Sequence, residues 1–229
     1  MTKRTIAFSI LSGASLLAMS LAAAGPAAAD EPLNIVYTHH SSASNPFWQA
    51  VKKGFDDACA KIQANCQMIF TQTEGSVDQE VANQQAALAR KPDALITTLV
   101  DNNAFVANLK DAKAKGVIVI ASNVDATEGP ELALRQAFVG QNFVPAGTTL
   151  GRRMAALFPK DGPIRVLVGV NAPGQNWSEQ RAKGIMNGLE EYKKANPGRE
   201  IAIDRLDVSA EGAVVSDRVG AYISAHPDT

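Results

Sequence analysis

The chain has 229 residues, 46% of them hydrophobic and 20% charged, with a formal net charge of −1 at pH 7. This composition is typical of a globular protein and excludes a largely disordered one. Two cysteines are too few for a disulfide-rich miniprotein or a four-thiolate zinc site, and the near-neutral charge argues against a nucleic-acid partner.

The first residues have the pattern of an export signal. Lys3 and Arg4 precede an apolar run of small residues, and the alanines at 27–29 are the small side chains that a signal peptidase needs. A membrane anchor is the alternative, but the apolar core is short for a span and ends in a Gly-Pro pair. We predict that residues 1–29 are removed on export, which takes two of the 22 Lys and Arg and none of the 23 Asp and Glu and leaves a net charge of −3.

Strands and helices alternate along the rest of the chain. Asn45 is placed to cap a helix that begins at Pro46, and Ser76 with Gln79 three residues later forms a capping box for the next helix. Apolar runs, helical periodicity and stops at Gly and Pro define the remaining elements. The predicted elements are strand 33–38, helix 46–62, strand 67–71, helix 77–90, strand 94–100, helix 103–115, strand 117–121, strand 131–140, helix 144–158, strand 164–170, helix 178–195, strand 201–207 and helix 214–224.

This alternation predicts an α/β fold with doubly wound parallel sheets. We expect two Rossmann-like lobes, an N-terminal lobe at 30–140 and a partial C-terminal lobe at 141–229. The second lobe has only two strands before Thr229, too few for a parallel sheet with protected edges, so we interpret the chain as a fragment of a longer protein.

The two cysteines lie close together, at the end of one predicted helix and next to the following strand. In an exported protein, a bond between Cys59 and Cys66 would close a short loop and stabilise the fold by about 2.5 kcal/mol in the chain-entropy model. Two free, buried thiols are the alternative. We predict the disulfide.

The candidate binding residues follow the ends of predicted strands. In an open parallel sheet, the ligand crevice lies beyond the carboxyl ends of the strands. Here those positions are rich in amides, hydroxyls and aromatic rings and include one arginine, a set that suits a neutral polyol such as a sugar. The candidates are Asn45, Phe47, Trp48, Thr98, Asn123, Asn176 and Arg181. For the two aromatic residues the alternative is a place in the core, and for Arg181 it is a solvated helix position.

Other chemistries find little support in the sequence. His39 and His40 are neighbours on a strand, which would direct them to opposite faces, and His226 lies far along the chain, so we expect no metal site. The segment 169–174 has the glycine spacing of a phosphate loop but lacks the following lysine. We expect a protein that is not an enzyme and needs no cofactor; an exported hydrolase with His39 or His40 as its base is the alternative.

Several segments, in this order, carry a resemblance that covers nearly all of residues 33–229. They are Asn45-Pro46-Phe47-Trp48 at the first helix, strand 116–120, Val139-Gly140-Gln141-Asn142, Gln180-Arg181-Ala182-Lys183-Gly184 and Ala225-His226-Pro227-Asp228. Together they resemble the periplasmic sugar-binding proteins of ABC importers, the ribose-binding-protein-like group.

The resemblance implies a type I periplasmic binding protein fold whose two lobes close on one sugar without reaction. It implies that Asn45, Phe47, Trp48 and Asn123 hold the sugar from the first lobe and Arg181 from the second. It also implies a monomer in the periplasm that delivers its ligand to an ABC permease in the inner membrane. Asn123 stands where ribose binders have an Asp and Thr98 where they have an Asn, so we do not expect ribose itself; a nucleoside or a signalling furanose is the alternative ligand.

Overall fold

The computed structural model describes residues 31–227, so the predicted export signal lies outside the described residues. Strands and helices alternate as the sequence predicts. In chain order the elements are β1 Asn34–Ser42, α1 Pro46–Ile62, β2 Asn65–Thr71, α2 Val77–Ala89, β3 Ala94–Thr97, α3 Val106–Ala114, β4 Ile118–Asn123, a 3₁₀ helix Pro130–Ala133, β5 Ala137–Gly140, α4 Phe143–Ala155, β6 Ile164–Val170, α5 Asn176–Ala195, β7 Ile201–Asp207 and α6 Gly212–Ala225. None of these helices combines the length and the apolar character that crossing a membrane requires.

The strands form two separate parallel sheets. The first has five strands in the order β2-β1-β3-β4-β5, and the second pairs β6 with β7. Because β1 lies inside the first sheet, with β2 on one side and β3, β4 and β5 on the other, the chain winds outward from it in both directions, as in the doubly wound α/β fold that the sequence predicts. The lobe boundaries at 140 and 141 stay a prediction.

Each sheet has its own apolar core. In the first, Leu88 of α2 and Leu109 of α3 pack with Leu95 and Val119 of the central strands, and all four are almost completely buried. In the second, Leu189 of α5 packs against the alternate inward residues of β6. The near-continuous burial along β1 follows from helices that cover the sheet.

Strand β1 is longer than predicted and contains an irregularity. Its pairing with β2 shifts between Thr38 and Ser42, so the strand continues through both histidines. The sequence analysis placed the two histidine rings on opposite faces of the strand; in the structure both contact the indole of Trp48, with His39 stacked on it at 4.1 Å between centroids and His40 edge-on at 5.6 Å.

The segment before β5 also differs from the prediction. Residues 131–136 do not join the strand, because Pro130 begins a 3₁₀ turn in which the carboxyl of Glu131 accepts the backbone N–H of Phe105. Glu131 is fully buried in this position.

The predicted caps of α1 and α2 differ in how far the structure agrees with them. Asn45 caps α1, since its side-chain oxygen accepts the N–H of Phe47 at 3.1 Å. Ser76 caps α2 by accepting the N–H of Gln79, but Gln79 does not complete the capping box. Its side-chain oxygen instead accepts the backbone N–H groups of Gln72 and Thr73 in the preceding loop.

The predicted disulfide is confirmed. The sulfurs of Cys59 and Cys66 are 2.02 Å apart and join the last turns of α1 to the start of β2. Backbone bonds support the same corner, because the N–H of Ala64 donates to the carbonyl oxygen of Cys59 at 3.1 Å. The bridge therefore holds the edge strand β2 against the helix that leads into it.

Helices α4 and α5 pack with their backbones in close contact. Gly147 and Gly151 on α4 face Gly184 and Gly188 on α5, and a Cβ added to any of the four would lie 2.2–2.5 Å from a backbone oxygen of the other helix. Only glycine permits this approach. The helix that carries Arg181 is thereby fixed rigidly to its neighbour.

Candidate binding cavity

A cavity of about 370 Å³ lies at the carboxyl ends of the strands, between the first sheet and the start of α5. Five of the predicted residues line it: Asn45, Phe47, Trp48, Asn123 and Arg181. The first four belong to the first lobe and the last to the second. The strand-end rule thus places these side chains together, although their role in binding stays a prediction.

Thr98 does not reach the cavity. It is fully buried one position after β3, where its hydroxyl donates to Glu80 Oε1 at 2.6 Å and lies 3.1 Å from Nδ1 of His40. The prediction placed it on the wall because it follows a strand. A buried hydrogen-bond network behind the wall holds it instead.

Asn176 is also absent from the wall of this cavity. Its backbone N–H donates to the carbonyl oxygen of Val100 at 2.7 Å, and its side-chain amide donates to the carbonyl oxygen of Leu99 and to Asn102. These partners belong to the first lobe, whereas Asn176 begins α5. The residue therefore ties the start of α5 to the first lobe and lines a neighbouring cavity, and its role in binding stays a prediction.

The wall residues that the sequence analysis missed include Glu74, Gln141, Phe143 and Trp177. Glu74 follows β2, and Gln141 and Phe143 follow β5, so the strand-end rule finds them when it is applied to every strand. Trp177 carries no such signal, because its place depends on how α5 docks. Its ring packs against the apolar core of the first sheet although its helix belongs to the second.

The two aromatic residues at the start of α1 have different surroundings. Trp48 is 3% exposed and is held by His39 and by the edge of Tyr37, yet it still contributes to the cavity wall. Phe47 is 52% exposed and touches Trp48 edge-to-face at 5.3 Å. Trp48 is thus both core and wall, while Phe47 presents a free aromatic surface to the cavity.

The carboxylate of Glu74 is held by a cage of donors from the first lobe. The hydroxyl of Ser41 donates to Oε1 at 2.6 Å, the backbone N–H of Ser42 donates to Oε2 at 2.9 Å, and Nδ2 of Asn45 donates to Oε1 at 3.0 Å. Burial acts to raise the pKa of Glu74, but these donors outweigh it and lower the pKa below its usual value. The negative charge is therefore compensated inside the protein.

Arg181 on the opposite wall has a different environment. Its guanidinium lies over the ring of Phe143 at 4.7 Å and over that of Trp177 at 5.6 Å. Within residues 31–227 it makes no ion pair, and burial lowers the pKa of its guanidinium. The five N–H donors of this guanidinium are thus the largest set of hydrogen-bond donors on the wall that lacks an acceptor within residues 31–227.

Two further polar groups on the wall are shaped by the backbone and by burial. Asn123 ends β4 with φ = 63°, a left-handed conformation that asparagine tolerates better than most residues. Burial lowers the pKa of His40 to about 4, partly offset by the charge of Glu74, so its ring is neutral at pH 7.

Among residues 31–227 no cluster of three or more His, Cys, Asp or Glu side chains is arranged to hold a metal ion.

The amino-acid sequence is similar to those of curated binding proteins. It is 27% identical over 203 residues to the xylose/arabinose-binding protein of Sulfolobus acidocaldarius, covering 85% of this chain and 47% of that protein. It is 22% identical over 188 residues to the ribose import binding protein of Bacillus subtilis, covering 82% and 57% respectively. The chain thus spans about half the length of the curated relatives it matches.

A solved structure and a family model agree with these matches. The fold superposes with a TM-score of 0.74 and 26% identity on a periplasmic sugar binding protein of an ABC sugar transporter from Legionella pneumophila, covering 86% of this chain and 68% of that one. The model of the periplasmic binding protein domain matches residues 36–229. Since this match includes both sheets and every wall residue of the cavity, the chain belongs to the periplasmic binding protein family.

Proposed function

We propose that the protein captures a monosaccharide or a related polyol in the cavity between its lobes and delivers it to an ABC importer. The observation that carries this proposal is the wall itself: aromatic rings and amides from the first lobe face a half-buried arginine from the second. Rings cover the apolar face of a sugar, while amides and a guanidinium exchange hydrogen bonds with its hydroxyls. A volume of about 370 Å³ suits a small ligand of this kind.

The wall residues take distinct roles in this proposal. Phe47 and Trp48 stack against the ring of the sugar, while Asn123 and Arg181 donate to its hydroxyls. Asn45 has less to offer, because its Oδ1 caps α1 and one Nδ2 proton is committed to Glu74. Its remaining proton is available to a ligand.

Transport follows from the sharing of one ligand by two lobes. A ligand that contacts both walls favours the closed arrangement over the open one by its differential affinity, and a permease can distinguish the two shapes. We propose that the mature protein is a periplasmic monomer without residues 1–29, with lobes at 30–140 and 141–229. No reaction of the ligand is required.

Intrinsic fluorescence tests the proposal directly, because both tryptophans of the chain line the cavity. The full-length mature protein, of which we interpret this chain as a fragment, is titrated with D-xylose, L-arabinose, D-ribose, D-glucose, D-galactose, myo-inositol and adenosine. We expect a saturable change with at least one sugar or polyol. A response to adenosine alone would move the proposal to nucleosides, and no response to any compound would refute it.

A pair of arginine variants localises the response. Arg181→Met keeps the stacking length of the side chain but removes its donors, and we expect at least a tenfold loss of affinity. Arg153→Met is the matched control, since Arg153 is an exposed residue of the neighbouring helix α4. Equal affinities for the two variants would place the ligand elsewhere.

A further inference from the structure

The two ring nitrogens of His40 lie in different environments. Nδ1 is 3.1 Å from the hydroxyl oxygen of Thr98, in a contact that is completely buried. Nε2 has no partner within residues 31–227, and unlike Nε2 of His39 it is not sealed from solvent. Because His40 lies on the cavity wall, Nε2 is the atom through which this ring can meet a ligand.

The proton on the Thr98 hydroxyl is already committed. A threonine hydroxyl has one proton, and that of Thr98 is donated to Glu80 Oε1 at 2.6 Å. The same Oε1 also accepts the backbone N–H of Thr98 and the hydroxyl of Thr97, so it is the acceptor oxygen of this carboxyl. Toward His40, the Thr98 oxygen can therefore only accept.

The ionisation of Glu80 does not change this assignment. Burial raises the pKa of Glu80 to about 8, so the carboxyl carries a proton at neutral pH. We assign that proton to Oε2, because the backbone N–H of Thr98 can only donate and points at Oε1, and the carbonyl oxygen of a neutral carboxyl is its acceptor. The direction from Thr98 to Glu80 is the same in both ionisation states.

We propose that His40 is a specificity-determining residue of the cavity, held by Thr98 and Glu80 as the Nδ1–H tautomer so that Nε2 accepts a hydrogen bond from a ligand hydroxyl. This assignment rests on the proposed function for its ligand. Thr98 and Glu80 do not touch the cavity and act as positioning residues. The predicted site residue Thr98 thus positions His40 and does not contact the ligand itself.

This assignment adds an acceptor to a wall whose arginine offers only donors. Arg181 offers only donors, and Glu74 already receives donors from Ser41, Ser42 and Asn45 on both of its oxygens. Nε2 of His40 is thus an acceptor that its own lobe leaves unused. A ligand that presents a hydroxyl proton there satisfies it, whereas a ligand with an acceptor or no polar group at that position leaves it desolvated and unpaired.

The tautomer can be measured without any ligand or variant. Long-range ¹H–¹⁵N correlation spectra of the protein labelled with ¹⁵N-histidine distinguish a protonated ring nitrogen from an unprotonated one. We expect His40 to carry its proton on Nδ1, the Thr98→Ser variant to keep this tautomer, and Thr98→Val to populate the Nε2–H form. The Nε2–H form in the wild-type protein would overturn the assignment.

The hydrogen bond to the ligand is tested by changing both partners. The probe is the compound of the panel above with the largest fluorescence response, together with its monodeoxy analogues. We expect one analogue to bind the wild-type protein about tenfold more weakly, and we expect that loss to vanish in His40→Phe, which keeps a ring but has no acceptor. If every analogue lost the same affinity in both proteins, His40 would not accept from the ligand and the proposal would be wrong.

The two proposals fail in different ways. If no compound of the panel binds, the proposed function fails and the ligand role of His40 falls with it. If a sugar binds and the spectra show the Nε2–H tautomer, only the assignment of His40 fails. The same holds if a sugar binds and the affinity losses caused by the deoxy analogue and by His40→Phe are additive.

Discussion

The two walls of the cavity differ in how their charges are compensated. On the first-lobe wall, the carboxylate of Glu74 receives donors from Ser41, Ser42 and Asn45 of the same lobe. On the second-lobe wall, the guanidinium of Arg181 rests on two aromatic rings and has no ion pair within residues 31–227. The charged group of the first wall thus has its hydrogen-bond partners inside its own lobe, whereas the charged group of the second wall keeps its donors for a ligand.

This difference separates the parts of the cavity that stabilise the fold from the parts that are free to bind. A group whose partners are all internal contributes to stability and offers little to a ligand. A desolvated cation without a counter-charge gains from any ligand that supplies acceptors. Substitutions on the first wall should therefore change stability most, and those around Arg181 should change affinity most.

The largest expected effect is that of Trp48→Ala. The side chain is 3% exposed and packs against His39 and Tyr37, so its removal should lower the free energy of unfolding by about 3–5 kcal/mol. The adjacent Phe47 is 52% exposed, and Phe47→Ala should cost less than about 1 kcal/mol. Urea unfolding measures both. Equal losses would show that the two rings do not differ in burial in solution.

The close packing of α4 on α5 predicts the next effect. A Cβ in Gly147→Ala would lie 2.3 Å from the backbone oxygen of Arg181, so the helices must separate at a cost of about 2 kcal/mol in unfolding free energy. Affinity for the panel sugars should fall as well, because Arg181 moves. Gly220→Ala in α6 is the control: it has nothing within 4 Å and should stabilise by about 1 kcal/mol. A stabilising Gly147→Ala would contradict the observed helix contact.

The side-chain amide of Asn176, which joins the lobes, predicts a similar or smaller loss of unfolding free energy. Asn176→Ala removes donors to the carbonyl oxygen of Leu99 and to Asn102, which should cost about 2 kcal/mol in unfolding free energy. Asn196→Ala at the other end of α5 removes a single donor, to the carbonyl oxygen of Tyr192, and should cost about 0.5 kcal/mol. If thermal or urea unfolding gave the same loss for both, the contact between the lobes would contribute nothing to stability.

The smallest effect concerns pH. Burial raises the pKa of Glu80 to about 8, above the value near 4.5 of an unfolded glutamate, so its contribution is full below pH 4.5 and is lost as pH rises toward 8. Urea unfolding of the wild-type protein should therefore lose about 1 kcal/mol per pH unit between pH 6 and 7 that Glu80→Gln does not lose. Burial also raises the pKa of Glu131, to about 7, so the unfolding free energy of Glu80→Gln still falls somewhat with rising pH.

The control for the pH experiment is Glu200→Gln, which changes an exposed carboxyl. Its profile should follow that of the wild-type protein. Parallel profiles for Glu80→Gln and the wild type would mean that Glu80 is not buried as a neutral acid.

The rule that ligand sites lie beyond the carboxyl ends of parallel strands predicts much of the cavity wall. Where the rule misplaces a residue, there is a physical reason. Asn45, Asn123 and Arg181 lie where the rule places them, because the carboxyl ends of parallel strands share one edge of the sheet. The rule fixes a position along the chain and says nothing of the direction of a side chain. Thr98 obeys it in position, yet Glu80 on a helix behind the sheet turns its hydroxyl away from the cavity.

Contacts between distant segments were beyond the reach of sequence patterns. The cage around Glu74 joins residues about 30 positions apart, and Asn176 reaches partners more than 70 positions away. A pattern within a window of one helix or strand contains no record of such pairs. The same holds for Trp177, whose place depends on the docking of α5 on the first lobe.

By itself the sequence determined the alternation of strands and helices, the cap at Asn45 and the bridge between Cys59 and Cys66, because each depends on residues that are near neighbours along the chain. Only the tertiary structure decided which charges are compensated and which way His40 and Thr98 point. Those properties arise where separate segments meet in a desolvated space, since hydrogen-bond direction and burial are set there by all the partners at once.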